Sequence, residues 1–225
     1  MPLLDHFRPP ISQQHSWESF HSNWATRLAD QLNKVLPEDF LAQEHTPASR
    51  VEIDLPSPPF EEAIEPDSPT ATLRIIIPNR YEIRTFHTSG GTTLVGVIVL
   101  IAPTNKSRSE RRAFITTVAA YLHRGISLIL VDIVTSRDCN LHNETLDQFS
   151  SDASAGRFPE TVGLYASAFR PDKRDGRAEV DLWLESLELG ASLPTLPLRL
   201  TGDLFVPVDL EMSYSEACLR RRIVG

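Results

Sequence analysis

The residues best suited to chemistry are a few charged side chains on or beside apolar runs that are typical of β-strands. Glu52 and Asp54 alternate with aliphatic residues in the run 50–55. Lys106 follows the most apolar run of the chain, and Asp132 lies in another one. Carboxylates and lysines carry acid–base and metal chemistry in many sites. This is the one constellation that the sequence offers, although an amphipathic strand produces the alternation around Glu52 and Asp54 without any site.

Other signatures of catalysis are absent from the sequence. It has no GxSxG nucleophile motif, no GxxxxGK[ST] phosphate loop, no GxGxxG after a strand and no HExxH. Cys139 and Cys218 lie far apart, outside the CxxC or Cys/His spacings of zinc sites, and we expect ordinary thiols. Their absence argues against the commonest classes of serine hydrolase, nucleotide-binding protein and zinc protease.

The composition predicts a globular protein. Hydrophobic residues make up 41% of the 225 residues and charged residues 23%. The net charge of -8 does not favour an extended nucleic-acid surface, because phosphate backbones are held by clustered Lys and Arg, although a local basic patch is compatible with it. With no signal peptide and no apolar run long enough for a membrane helix, we expect a cytoplasmic protein without a membrane partner.

The amino-terminal half predicts one long helix and a hairpin. Aromatic and aliphatic residues recur at spacings of three and four from Trp17, so a helix opened by His15 or Ser16 should end before Pro37. The runs 40–45 and 50–55 form the predicted hairpin. The Pro-rich acidic segment 56–70 lacks periodicity and is predicted to be a mobile loop.

The centre of the chain predicts a parallel pair of strands. The run 92–102 is continuously apolar and rich in β-branched residues, which is typical of a strand buried on both faces. A helix over 107–124, capped by Ser107 or Ser109, connects it to a second buried strand at 126–134. Asp132, near the end of that strand, is a candidate site residue or a cap for the following turn.

The other elements complete a mixed central sheet flanked by helices, of the α/β (α+β) class, in a single domain over 1–225. They are strands at 72–77 and 80–86, a short helix at 143–149, a hairpin of 161–169 with 178–184 across the charged turn 171–176, an extended run at 193–198, and a terminal helix from Ser213 to the arginines 220–222.

Several segments resemble a bacterial family of domains of unknown function, number 4058. The similarity lies in 97–106, in Arg111-Arg112-Ala113-Phe114 and in 125–134, and extends to 51–54 and the closing 196–198 and 209–211. The family is similar to the PD-(D/E)XK, or restriction-endonuclease-like, nucleases. The resemblance therefore implies a nuclease-like core over most of the chain.

The resemblance also implies a Mg²⁺ site held by two carboxylates on adjacent strands, with a lysine that orients or activates the attacking water. Asp54 would be the first acid, with Glu52 or Glu44 as a migrated second ligand. The family's second acid falls on Val99 and its lysine on Ile101, so Lys106 is the neighbouring substitute for the lysine. Lys106 is alternatively a solvent-exposed cap of the strand end.

Three hypotheses follow. The first is a catalytically inactive nuclease-like domain that has no cofactor and binds an unidentified partner or ligand. The second is a Mg²⁺-dependent phosphodiesterase or nuclease with a migrated active site. The third is an oligomeric scaffold, for instance a homo-oligomer, that uses the hairpin 161–184 as its interface.

Overall fold

The computed structural model describes residues 1–45, 81–149 and 156–224. These parts of the chain contain helices α1 (Ile11–Gln14), α2 (Trp17–Val35), α3 (Arg111–His123), α4 (Leu141–Leu146) and α5 (Leu210–Arg220), and strands β1 (Phe40–His45), β2 (Tyr81–His87), β3 (Thr93–Leu100), β4 (Ser127–Asp132), β5 (Tyr165–Arg174), β6 (Arg177–Ser186), β7 (Thr195–Arg199) and β8 (Phe205–Asp209).

The strands β1 to β6 form one sheet in sequence order, and β7 and β8 form a second, two-stranded sheet. β3 and β4 are parallel and lie at the centre of the larger sheet, whereas the other neighbouring strands are antiparallel. The mixed sheet and its parallel central pair confirm the fold class predicted from the sequence. The helix α3, which connects β3 to β4, covers one face of this central pair. Since other elements pack on the opposite face, the pair is buried on both faces.

Two apolar clusters cover the two faces of the sheet. One face packs against α2, α5 and the β7–β8 sheet, and the other against α3 and α4. The helices α2 and α3 therefore lie on opposite faces, which the sequence had left open. On the first face β7 comes so close to β3 that a Cβ at Gly96 would lie 3.2 Å from the Leu198 side chain. Glycine permits this contact between the sheets.

The helix α2 forms where the periodicity predicts it. Its N-cap is Ser16, whose hydroxyl accepts a hydrogen bond from the Ser19 backbone at 3.3 Å. The buried residues of α2 follow the predicted face and include Phe20, Trp24 and Leu28. Both the beginning of this helix and its end before Pro37 are confirmed.

Several predicted boundaries are wrong, and three of them have a clear cause. The helix α3 begins at Arg111, because the chain first makes a turn through Ser107. The helix α5 begins at Leu210, since the Asp209 carboxylate caps it. The charged turn 171–176 shrinks to Asp175-Gly176, whose φ angles of 50° and 78° suit a two-residue hairpin turn. β5 and β6 therefore pair through residues assigned to the turn.

Some predictions fall outside the described residues, namely the strands at 50–55 and 72–77, the hairpin of 40–45 with 50–55, and the loop at 56–70. β1 itself is present and pairs with β2 along its whole length. None of the helices in the described ranges combines the length and apolarity that a membrane span needs.

Candidate functional site

The candidate site lies where β3 and β4 end side by side. Pro103 cannot donate a backbone hydrogen bond, and the chain turns sharply after Ala102. Asn105 closes the turn twice, since its backbone N–H donates to the Ala102 carbonyl at 3.0 Å and its side-chain oxygen accepts from the Ala102 N–H at 2.8 Å. This turn brings Lys106 to the end of β4.

Lys106 and Asp132 form an ion pair inside the protein. The Lys106 Nζ lies 2.8 Å from the Asp132 Oδ2, and neither side chain is exposed. The other oxygen, Oδ1, accepts from the Val134 N–H at 3.0 Å. Asp132 thus caps the following turn, which was one of the two roles predicted for it. The alternative prediction of a solvent-exposed Lys106 is wrong.

Burial dominates the electrostatics of this pair. It raises the pKa of Asp132 to about 6, and the nearby Lys106 charge opposes the shift only partly. On the adjacent strand, burial and then the charge of Asp132 raise the pKa of Tyr165 well above its usual value. Both effects describe a dry environment in which each charge depends on its partner.

Aliphatic side chains occupy the positions where the resemblance expects the second acid and the lysine. Val99 and Ile101 are each 1% exposed and belong to the cluster on the α3 face. They cannot coordinate a metal ion. These two positions therefore do not support a working nuclease centre of the kind that the resemblance implies.

A buried carboxylate that the sequence reasoning missed lies directly across from Val99. Glu82 of β2 is paired with Val99 in the sheet register and is 2% exposed. It accepts hydrogen bonds from the Arg84 Nε at 3.0 Å and from the Tyr121 hydroxyl at 2.9 Å. Its signal in the sequence was only a single acid in a predicted strand, which an exposed strand face would equally produce.

Glu44, another predicted ligand, does not join this group. Glu44 is paired with Ile83 and is exposed, and successive residues of β2 point to opposite faces, so Glu44 lies on the face away from Glu82 and Val99. Glu44 is therefore not beside Val99, and its proposed role together with Asp54 stays a prediction. Asp54 and Glu52 lie outside the described residues. Within the described ranges, no group of three or more His, Cys, Asp or Glu side chains has the arrangement of a metal site.

A Ser–His pair on the same face was also missed. The His142 Nδ1 lies 3.0 Å from the Ser167 hydroxyl, and its Nε2 lies 2.8 Å from the Gly156 carbonyl oxygen. The carbonyl can only accept, so Nε2 donates and Nδ1 accepts from the serine. Burial lowers the pKa of His142 to about 4. Both residues are 0% exposed, so the pair joins α4 to the sheet out of reach of a substrate.

Comparisons with known proteins did not identify a relative of this chain. No family model matches the chain, and no curated protein or solved structure is significantly similar to it.

Proposed function

We propose that this chain is a degenerate nuclease-like domain that binds a ligand or partner and does not cleave nucleic acid. One observation carries the proposal: the charges at the carboxyl ends of the central strands neutralise each other inside the protein. Lys106 and Asp132 are both fully buried, and Val99 and Ile101 beside them are aliphatic.

The energetics of the ion pair explain why it is a poor metal site. A hard divalent cation needs several oxygen ligands and usually keeps some of its water. To bind there, it would have to enter a dry site and displace the Lys106 ammonium from Asp132. The displaced ammonium would be left buried without its counter-ion, which costs several kcal/mol. The pair is therefore better suited to holding the two strand ends together.

A test compares metal binding with nucleic-acid cleavage. Thermal unfolding would be followed with and without Mg²⁺ or Mn²⁺, and the protein would be incubated with single- and double-stranded DNA and RNA. We expect no metal-dependent rise in the melting temperature and no cleavage. A cation that bound the native state alone would have to stabilise it.

Metal-dependent cleavage would contradict the proposal and favour the second candidate, a Mg²⁺-dependent phosphodiesterase. The position of Glu82 across from Val99 supports that candidate, because it returns a carboxylate to the neighbourhood of the missing acid. Its activity would then be lost in Asp54→Asn. The matched control is Asp203→Asn, which removes an exposed carboxylate after β7 and should leave cleavage unchanged.

A further inference from the structure

A surface pocket of about 400 Å³ lies beside the amino end of α3, and part of its wall comes from α4. Three arginines line it, namely Arg108 in the turn before α3 and Arg111 and Arg112 in its first turn. The three side chains lie near one another, because all of them line this one pocket. The size lies within the range of pockets for small ligands.

The described residues do not balance the charges of this pocket. Arg111 forms an ion pair with Glu144 of α4 through both carboxylate oxygens. Arg108 and Arg112 are exposed, and no carboxylate in the described parts of the chain forms an ion pair with either. With three arginines and one glutamate in the wall, the pocket has an excess of two positive charges.

The excess charge and the shape of the guanidinium groups select the ligand class. A phosphate monoester carries about -1.5 to -2 at neutral pH, which matches the excess. Guanidinium forks bind phosphate oxygens in pairs, with stronger hydrogen bonds than neutral donors make. Gln148 and Thr116 add polar groups to the wall, and Ile115 adds an apolar surface for the rest of the ligand. The amino end of α3, which has no side-chain cap, also favours an anion.

The net charge of the whole chain favours a small ligand over a nucleic-acid strand. A nucleic-acid strand needs many phosphate contacts along a basic surface, whereas this chain has a net charge of -8. One pocket with two arginines that form no ion pair with a described residue suits a single phosphate group.

We propose that this pocket, defined by Arg108, Arg111 and Arg112, binds a small molecule through its phosphate monoester. The inference rests on the proposed function, since it names the ligand of a domain whose strand-end charges are neutralised internally. The site is separate from that ion pair, because Lys106 and Asp132 are not part of the pocket wall.

The test titrates the whole chain with inorganic phosphate and follows backbone amide shifts by NMR. We expect saturable shifts centred on 107–116 and 144–148. The double variant Arg108→Gln/Arg112→Gln should weaken binding by about tenfold or more for each guanidinium removed. The matched control is Arg124→Gln, which removes an exposed arginine at the other end of α3 and should leave the affinity unchanged.

Two outcomes would overturn this inference. One is the absence of saturable shifts at the pocket, or equal affinities for the wild type and the double variant. The other is tight binding of a single-stranded DNA oligonucleotide that weakens steeply with salt, which would identify the ligand as nucleic acid. This experiment can fail independently of the metal test. Phosphate binding is measured without a divalent cation, and cleavage is measured with Arg108 and Arg112 unchanged.

Discussion

Lys106 and Arg108 are two residues apart in the chain, yet they have opposite environments. The Lys106 side chain is 0% exposed and is paired with Asp132, whereas Arg108 is exposed on the wall of a pocket without an acidic partner among the described residues. The buried cation contacts the end of the neighbouring strand, and the exposed one lies in the pocket that we propose binds a phosphate. The charges that looked most suited to a catalytic centre thus contribute to the fold, whereas the pocket proposed to bind phosphate begins one turn further along the chain.

The largest effect is expected when one half of the buried pair is removed. Lys106→Ala should lower the free energy of unfolding by about 3–5 kcal/mol, because Asp132 would be left as an uncompensated buried charge. Urea denaturation followed by circular dichroism measures the change. A loss below about 1 kcal/mol, typical of an exposed pair, would show that the pair does not hold the strand ends.

Replacing both partners should have a much smaller cost. In Lys106→Met/Asp132→Leu the charges disappear together, and buried pairs replaced by apolar residues are often neutral or more stable by about 1–4 kcal/mol. The same denaturation experiment applies. If the double variant were as unstable as Lys106→Ala, packing or the lost hydrogen bond from the Val134 N–H to Asp132, rather than charge, would explain the loss.

The pH dependence of stability should also separate the wild type from this double variant. The pKa of Asp132 is about 6, above its ordinary 3.8, so its protonated form favours the folded state, and this contribution is lost as pH rises through 6. Burial lowers the pKa of His21 from 6.5 to about 3, and that of His142 from 6.5 to about 4. Their contributions have the opposite sign, since they are present above pH 6.5 and are lost as pH falls.

Stability of the wild type should therefore rise with pH between about 4 and 6.5, with Asp132 opposing the histidines. The double variant lacks this opposition. Its rise over the same window should be steeper, by about 2 kcal/mol in total. Denaturation midpoints at several pH values measure the two slopes, and parallel curves would contradict the raised pKa of Asp132.

A smaller effect is expected at the ion pair of the pocket. Arg111→Gln removes the contact with Glu144, whose side chain is 23% exposed, while that of Arg111 is 40% exposed. Pairs of this kind contribute about 0–1 kcal/mol, so the thermal stability should change little. A loss as large as that of Lys106→Ala would mean that α3 and α4 depend on this contact.

The smallest effect should come from Arg108 and Arg112, the two exposed arginines of the pocket. Arg108→Gln/Arg112→Gln breaks no ion pair with a described residue, and its free energy of unfolding should stay within about 0.5 kcal/mol of the wild type. Thermal denaturation checks this, and it also validates the phosphate titration. A larger loss would assign these side chains a structural role.

Several elements could be read from the sequence because their signals are local. The apolar period of α2, the N-cap at Ser16 and the apolar run of β3 depend on neighbouring residues alone. The two-residue turn at Asp175-Gly176 also has a local signature, but the charged residues around it led to a turn that was too long. β8 was missed, since its five residues contain Pro207.

The candidate site could be predicted only in outline. The sequence placed Lys106 and Asp132 at the ends of neighbouring strands, and the structure does bring them together. It could not show that they are buried, or that Glu82 lies across from Val99, because burial and register depend on segments distant in the chain.

The sequence by itself determined the class of the fold, the long first helix and the parallel central pair, since hydrophobic periodicity is set by residues close in the chain. Only the tertiary structure decided which charges are buried and which remain exposed. That outcome depends on the turn at Asn105 and on the packing of α3 and α4 over one face of the sheet. A side chain's charge is encoded in one residue, but the dielectric environment and the counter-ion that determine its role come from the whole fold.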